Sequence, residues 1–417
     1  MLRIPIDRWI FITFATLVGL GLASFWSLSI PAEESVTDEI EHEAVHGMID
    51  EMAGGGEKTP SPFGNQTAVE NHPLWLGRLR GDAQNLRMKE FITALEQIQT
   101  RTRRSIYLEF IEELGVKKIV EHIESQNPSC HGELHSLGRI IRERTNDLET
   151  SFQLCQDACT YACLHGVLKR HFSDYQINPA AFSAKESPLS AETERLKEEI
   201  DQLCKEDSAV VIDFFRGNCA HAVGHAFADI GQNVSTTKAY CTLFKEAALQ
   251  YYCQTGLFME LRDEIRKELA YDAMKERWEA EMAFCINNTQ WPSACLHFFL
   301  GRPTRLDQID AVALKCTGLK GKSRLSCFYA VGAYGNSYIA AHPEHVNDTC
   351  QHGSLPDRKL CISGLFLRKK GHTRAEALKA ACQKMRDQEL KSVCQDQTRR
   401  YLYQIDNPVK SLMFDEG

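Results

Sequence analysis

Two groups of histidines have the residue types and spacing to do chemistry. The first is His42-Glu43-Ala44-Val45-His46, a His-Glu-x-x-His pattern. On a helix it places two imidazoles on one face with a glutamate beside them, the arrangement by which zinc proteases hold a metal and activate water. The second is more dispersed: His131 and His135 in CHGELHSLG, His165 in CLHGVL, and His221 and His225 in CAHAVGH. Two of these are i, i+4 pairs, and an i, i+4 pair supplies two imidazole ligands from one rigid element. His165, His221 and His297 each lie two residues after a cysteine. Later stretches of the same form carry Thr255, Tyr329 and Ser363 at that place.

What positions these residues is read from the cysteines. All sixteen lie between Cys130 and Cys394, an even number confined to one region, as expected of disulfides in an oxidising compartment. Cys130, Cys163, Cys219, Cys253, Cys295, Cys327, Cys361 and Cys394 are separated by 33, 56, 34, 42, 32, 34 and 33 residues. A period near 33 is that of a helix-turn-helix repeat, with the two long gaps as insertions. The flanks CLHGVL, CAHAVG, CQTGLF, CFYAVG and CISGLF share a small residue three positions after the cysteine, which lets helix backbones approach closely.

Six of the eight have a companion 10 to 15 residues upstream: Cys204 with Cys219, Cys241 with Cys253, Cys285 with Cys295, Cys316 with Cys327, Cys350 with Cys361, and Cys382 with Cys394. The companion closes one helix and the second cysteine opens the next, so a disulfide pins each hairpin. Such a loop closure contributes about 2 to 3 kcal/mol. Cys130, Cys155, Cys159 and Cys163 admit three connectivities, and spacing does not choose among them.

Apolar residues recur at helical spacing from about Asn85, and sustained period-two alternation is absent. The fold class is therefore all-α: an α-solenoid of about seven to eight disulfide-stapled hairpins. Between about Val116 and Tyr403 this construction resembles that of secreted cysteine-rich proteins built from Sel1-like repeats. The resemblance is one of architecture. It implies a curved repeat surface used for binding, and it carries over no catalytic residue.

The N-terminus adds a membrane. Residues 9–30, WIFITFATLVGLGLASFWSLSI, hold no charge and are long enough to span a bilayer. Arg3 and Arg8 precede the segment and acidic residues follow it. This predicts a single-pass anchor, or an uncleaved signal, with residues 1–8 cytoplasmic and the bulk periplasmic, extracellular or lumenal. Residues 31–84 read as an acidic, Gly/Pro/Ser-rich linker, 85–404 as the repeat ectodomain, and 405–417 as a tail.

Composition is ordinary, with 43% apolar and 25% charged residues and a net charge of −8, so no basic face points to nucleic acid. If equivalent positions of neighbouring repeats stack, His131, His135, His165, His221 and His225 form one cluster. Such a cluster suits copper, zinc or haem iron. The expected function is a membrane-anchored binding protein or scaffold with a protein or peptide partner. The alternative is a metal-dependent enzyme using the cluster or, on His42, Glu43 and His46, a zinc protease. Nearness of that motif to the bilayer and the lack of a third-ligand motif count against the protease.

Overall fold

The computed structural model describes residues 70–97, 101–126, 130–145, 147–155, 158–175, 191–205, 215–231, 233–269, 274–367, 372–398 and 409–414. Among them the chain is all-helical, without a strand. Ahead of the histidines lie α1 (Pro73–Leu76), α2 (Gly81–Glu96), α3 (Arg103–Leu114) and α4 (Val116–Gln126). The histidines lie on α5 (His131–Arg144), α7 (Ala158–Phe172) and α9 (Phe215–Gly231), separated by α6 (Leu148–Cys155) and α8 (Ala191–Leu203). There follow α10 (Val234–Cys241), α11 (Ala247–Glu260), α12 (Arg262–Leu269), α13 (Met274–Asn288) and α14 (Ser293–Phe299). The chain continues through α15 (Leu306–Thr317), α16 (Gly321–Ala341), α17 (Val346–Thr349), α18 (Leu355–Gly364), α19 (His372–Gln383) and α20 (Gln388–Gln397).

One succession of helices runs through the molecule, each packed on the next: α5 on α7, then α9, α11, α14, α16, α18 and α20. Three of these pairs are set by glycines in reciprocal contact. A Cβ on Gly138 of α5 would stand 1.9 Å from the Cys163 carbonyl oxygen, and one on Gly166 of α7 would stand 2.1 Å from the His135 carbonyl. Gly224 and Gly256 cross α9 and α11 in the same way, against Cys253 and His221. Gly332 and Gly364 cross α16 and α18 against Cys361 and Tyr329. Only hydrogen fits at such a crossing; the small residue three positions after the cysteine is the crossing glycine at Gly166, Gly256 and Gly364, whereas Gly224 and Gly332 stand five positions after theirs. The repeating unit is accordingly a pair of hairpins crossed at two glycines, and it occurs three times: α5/α7, α9/α11 and α16/α18.

All sixteen cysteines are joined. The six hairpin pairs are Cys204–Cys219, Cys241–Cys253, Cys285–Cys295, Cys316–Cys327, Cys350–Cys361 and Cys382–Cys394. The second cysteine of a pair sits inside its helix instead of opening it, as Cys253 does within Ala247–Glu260. The remaining four pair as Cys130–Cys159 and Cys155–Cys163. Cys130 is thus not a repeat cysteine. Judged by its distance from the crossing glycine, the equivalent position in α5 is Glu133.

The single-pass membrane anchor is corrected. No helix among the described residues is long and apolar enough to cross a membrane, and residues 9–30 lie outside them. The expected placement of residues 1–8 on one side of a membrane and the bulk on the other rested on that anchor and falls with it. His42, Glu43 and His46 likewise lie outside the described residues. At the other end, Lys410–Phe414 of the expected tail forms a short π-helical turn. It buries Met413 and packs Phe414 against Tyr251 and Trp291, with ring centroids 5.5 and 5.9 Å away. Within the expected linker, α1 buries Leu74 and Trp75.

Candidate metal centre

The five histidines expected to converge do so where α7 of the first double hairpin meets α9 of the second. The rings of His131 and His135 lie 4.8 Å apart, those of His221 and His225 also 4.8 Å. His165 stands between the two pairs, with its ring 5.0, 5.4, 5.1 and 5.0 Å from His131, His135, His221 and His225. His165, His221 and His225 are buried, whereas His131 and His135 are half-buried at the rim. One nitrogen from each of His131, His135, His165 and His225 can be chosen so that all four lie within 4.8 Å of one another. His297, placed with these residues by spacing, is elsewhere: its Nδ1 donates to the Ser293 carbonyl at 2.5 Å and its ring lies tilted against that of Phe298.

The tautomers follow from the surrounding partners. The Thr255 hydroxyl donates to the Tyr252 carbonyl at 2.6 Å, so its oxygen is the acceptor for His221 Nδ1–H at 2.7 Å. His225 Nδ1–H donates to Glu260 Oε2 at 2.7 Å. The two Nε2 atoms face each other at 3.1 Å. His131 and His135 present the same juxtaposition, Nε2 to Nε2 at 3.2 Å. Two nitrogens at about 2.05 Å from one ion at the tetrahedral angle are roughly 3.3 Å apart. Each pair therefore has close to the bite of a metal-binding pincer. Two ring nitrogens at that distance can share a proton or a cation. His165 Nε2 bonds Asn218 Oδ1 at 3.0 Å, while its fully buried Nδ1 has no hydrogen-bond partner.

Burial dominates the electrostatics. It holds the imidazoles of His135, His165 and His221 well below their ordinary pKa, and the neighbouring histidines push the same way, so these rings are neutral at pH 7. Burial alone would raise the Glu260 carboxyl. The hydrogen bond from His225 and the charge of Lys169 outweigh it and bring the carboxyl down to about 2. Lys169, itself buried, pairs with Glu260 and lies 3.1 Å from Asp229. Asp229 in turn pairs with Arg139. A carboxylate or amide behind a ligating imidazole fixes its tautomer and orientation, and Glu260 and Asn218 stand in those places.

Imidazole nitrogens converging in this way are a donor set for a borderline transition metal such as copper or zinc. With every ring in contact with its neighbours, no slot is left between them for a porphyrin, so haem does not fit. Sequence reasoning named the five histidines but missed Asn218, Thr255, Glu260 and Lys169. Thr255 was visible as the repeat equivalent of His165. The other three do not recur at equivalent positions of the repeats, so repeat equivalence did not single them out. No family model matches the chain, and neither a curated protein nor a solved structure is similar to it.

Proposed function

We propose that this protein is a disulfide-stapled α-solenoid that holds a copper or zinc ion on His131, His135, His165 and His225 and presents its helical surface to a protein or peptide partner. The observation that carries the metal reading is the convergence of four imidazole nitrogens within 4.8 Å. The third double hairpin supports it. Its crossing has the same glycine contacts, yet carries Leu325, Tyr329, Ala333 and Ser363 where the other two carry the histidines. The crossing therefore needs no imidazole, and a structural role leaves the clustering of five of them without a reason. The solenoid reading rests on the unbroken succession from α5 to α20 and on the architectural resemblance to Sel1-like repeats.

The test is metal analysis of the full, untagged chain. About one equivalent of copper or zinc is expected per chain, retained through gel filtration. The double variant H135A/H165A is expected to lose it while its eight disulfides and helical circular dichroism persist, and H297A is expected to keep it. A wild-type chain that carries no ion and takes none up on titration would defeat the proposal.

A further inference from the structure

Away from the histidines, one helix of the succession begins late. α11, α16, α18 and α20 start at Ala247, Gly321, Leu355 and Gln388, six residues before Cys253, Cys327, Cys361 and Cys394, whereas α14 starts at Ser293, two before Cys295. Pro292 is the reason. Proline is tolerated only in the first turn of a helix and disfavours helical backbone in the residue before it. Trp291 is therefore left outside, and α14 is short by one turn between α11 and α16, its neighbours on either side. Residues 409–414 fill the notch. They pack on α11 and α16, and Phe414 lies against Tyr251 and Trp291, which stand two and four residues before their cysteines, at the level of the missing turn.

Val409, Met413 and Phe414 are buried while Lys410 and Ser411 are exposed. That is the pattern of a helical segment laid with its apolar face in a groove. A single helical turn does not hold its shape alone in water, so this one takes its order from the seat. The seat is braced by bonds of its own. Ser293 Oγ donates to the Tyr251 hydroxyl at 3.3 Å and lies 2.8 Å from Ser326 Oγ, and the backbone N–H of Trp291 donates to Thr289 Oγ1 at 3.1 Å. One group is left unserved: the buried indole N–H of Trp291 has no acceptor. An occupant supplying an oxygen there gains a hydrogen bond that residues 409–414 do not make. We infer that the notch is a docking site for a short apolar peptide of a partner protein, anchored by an aromatic residue with an apolar one before it. Residues 409–414 occupy it reversibly, as a tethered competitor whose effective concentration is set by the link to α20. This inference rests on the reading that the helical surface takes a peptide partner, and it names the place and the chemistry.

The probe is a fluorescently labelled peptide of residues 407–417, titrated by anisotropy into the full chain and into its double variant M413A/F414A. The variant should bind the probe at least about 10-fold more tightly than the wild type, because its own segment no longer competes. A probe with alanine in place of Phe414 should lose at least about 10-fold on the same variant, since the aromatic ring is the anchor. Hydrogen exchange on the wild-type chain gives a reading that needs no variant to fold. Amides of residues 410–414 should exchange at least about 100-fold faster than those of α11 and α16, through a local opening. Equal probe affinity for the two chains, or binding to neither, overturns the inference. So does a double variant that fails to fold, or a segment protected as strongly as α16, for the segment is then a fixed part of the core. A wild-type dimer that the probe dissociates in sedimentation assigns the notch to a second copy of the chain, and that too overturns it. No histidine takes part in this docking, so each of these failures leaves the metal reading standing, and a chain that binds no ion leaves the notch to be judged by the probe alone.

Discussion

The α9/α11 and α16/α18 double hairpins are built alike and furnished differently. In both, reciprocal glycines press a helix backbone onto the carbonyls of its partner, at 2.0 and 1.9 Å in one case and 1.8 and 2.0 Å in the other for the Cβ that is absent. Both are stapled at equivalent cysteines, Cys253 and Cys361. Around the first crossing stand His221, His225, Thr255 and Glu260, joined by hydrogen bonds. Around the second stand Tyr329, Ala333 and Ser363, and the buried Ser363 hydroxyl has no partner. Backbone geometry and side-chain chemistry are thus independent here. The glycines and disulfides make the scaffold, and the polar residues are an addition to it.

That separation can be broken or sharpened experimentally. The largest effect is expected from the glycines. Gly224→Ala and Gly332→Ala should each destabilise the protein by at least about 3 kcal/mol, because the clash is with backbone and cannot be relieved by a rotamer change. Equal losses in the denaturation midpoint would place the two crossings on the same footing. A tolerated alanine at one of them would show that the units are not equivalent.

Acid should then separate the two regions. In the metal-free chain, His135, His165 and His221 have folded pKa values below the 6.5 of the unfolded chain, so the unfolded state binds more protons between the two values. Their contribution is complete above pH 6.5 and is lost as pH falls below it, by about 1 to 3 kcal/mol near pH 5.5. Glu260 behaves differently. Its folded value near 2 lies below the ordinary 4.5, so its contribution is intact at pH 5.5 and disappears only in stronger acid. Hydrogen exchange, corrected for intrinsic rates, should therefore accelerate in α5, α7 and α9 between pH 7.5 and 5.5 but not in α16 and α18. A uniform change would contradict the assignment. The smallest effect is Ser363→Ala, which removes an unsatisfied buried hydroxyl and should stabilise the fold by up to about 1 kcal/mol in thermal denaturation. Its failure to do so would mean that the hydroxyl has found a partner.

The scaffold was readable because its determinants are local and periodic. A hairpin cysteine finds its companion within 15 residues, and a crossing glycine lies three or five positions after a helix cysteine. The same periodicity misled at Cys130, which has the right interval but bonds Cys159, itself left-handed (φ 48°) like Tyr161 (φ 65°) at the start of α7. Residues assigned to the tail and the linker gave no helical pattern long enough to notice, since α1 has four residues and the terminal turn five. The histidines were found through repeat equivalence, whereas their supporting shell was not. Lys169 meets Asp229 and Glu260 across 60 and 91 residues, and no short window of sequence contains such a pair.

The imidazoles gather at the seam where α7 abuts α9, so the cluster belongs to neither double hairpin alone. His131, His135 and His165 come from one side and His221 and His225 from the other. The next seam offers no such place, because α14 is wedged between α11 and α16. An array of this kind can gain or shed a site by exchanging a few side chains at one boundary, with every unit on either side left able to fold as before.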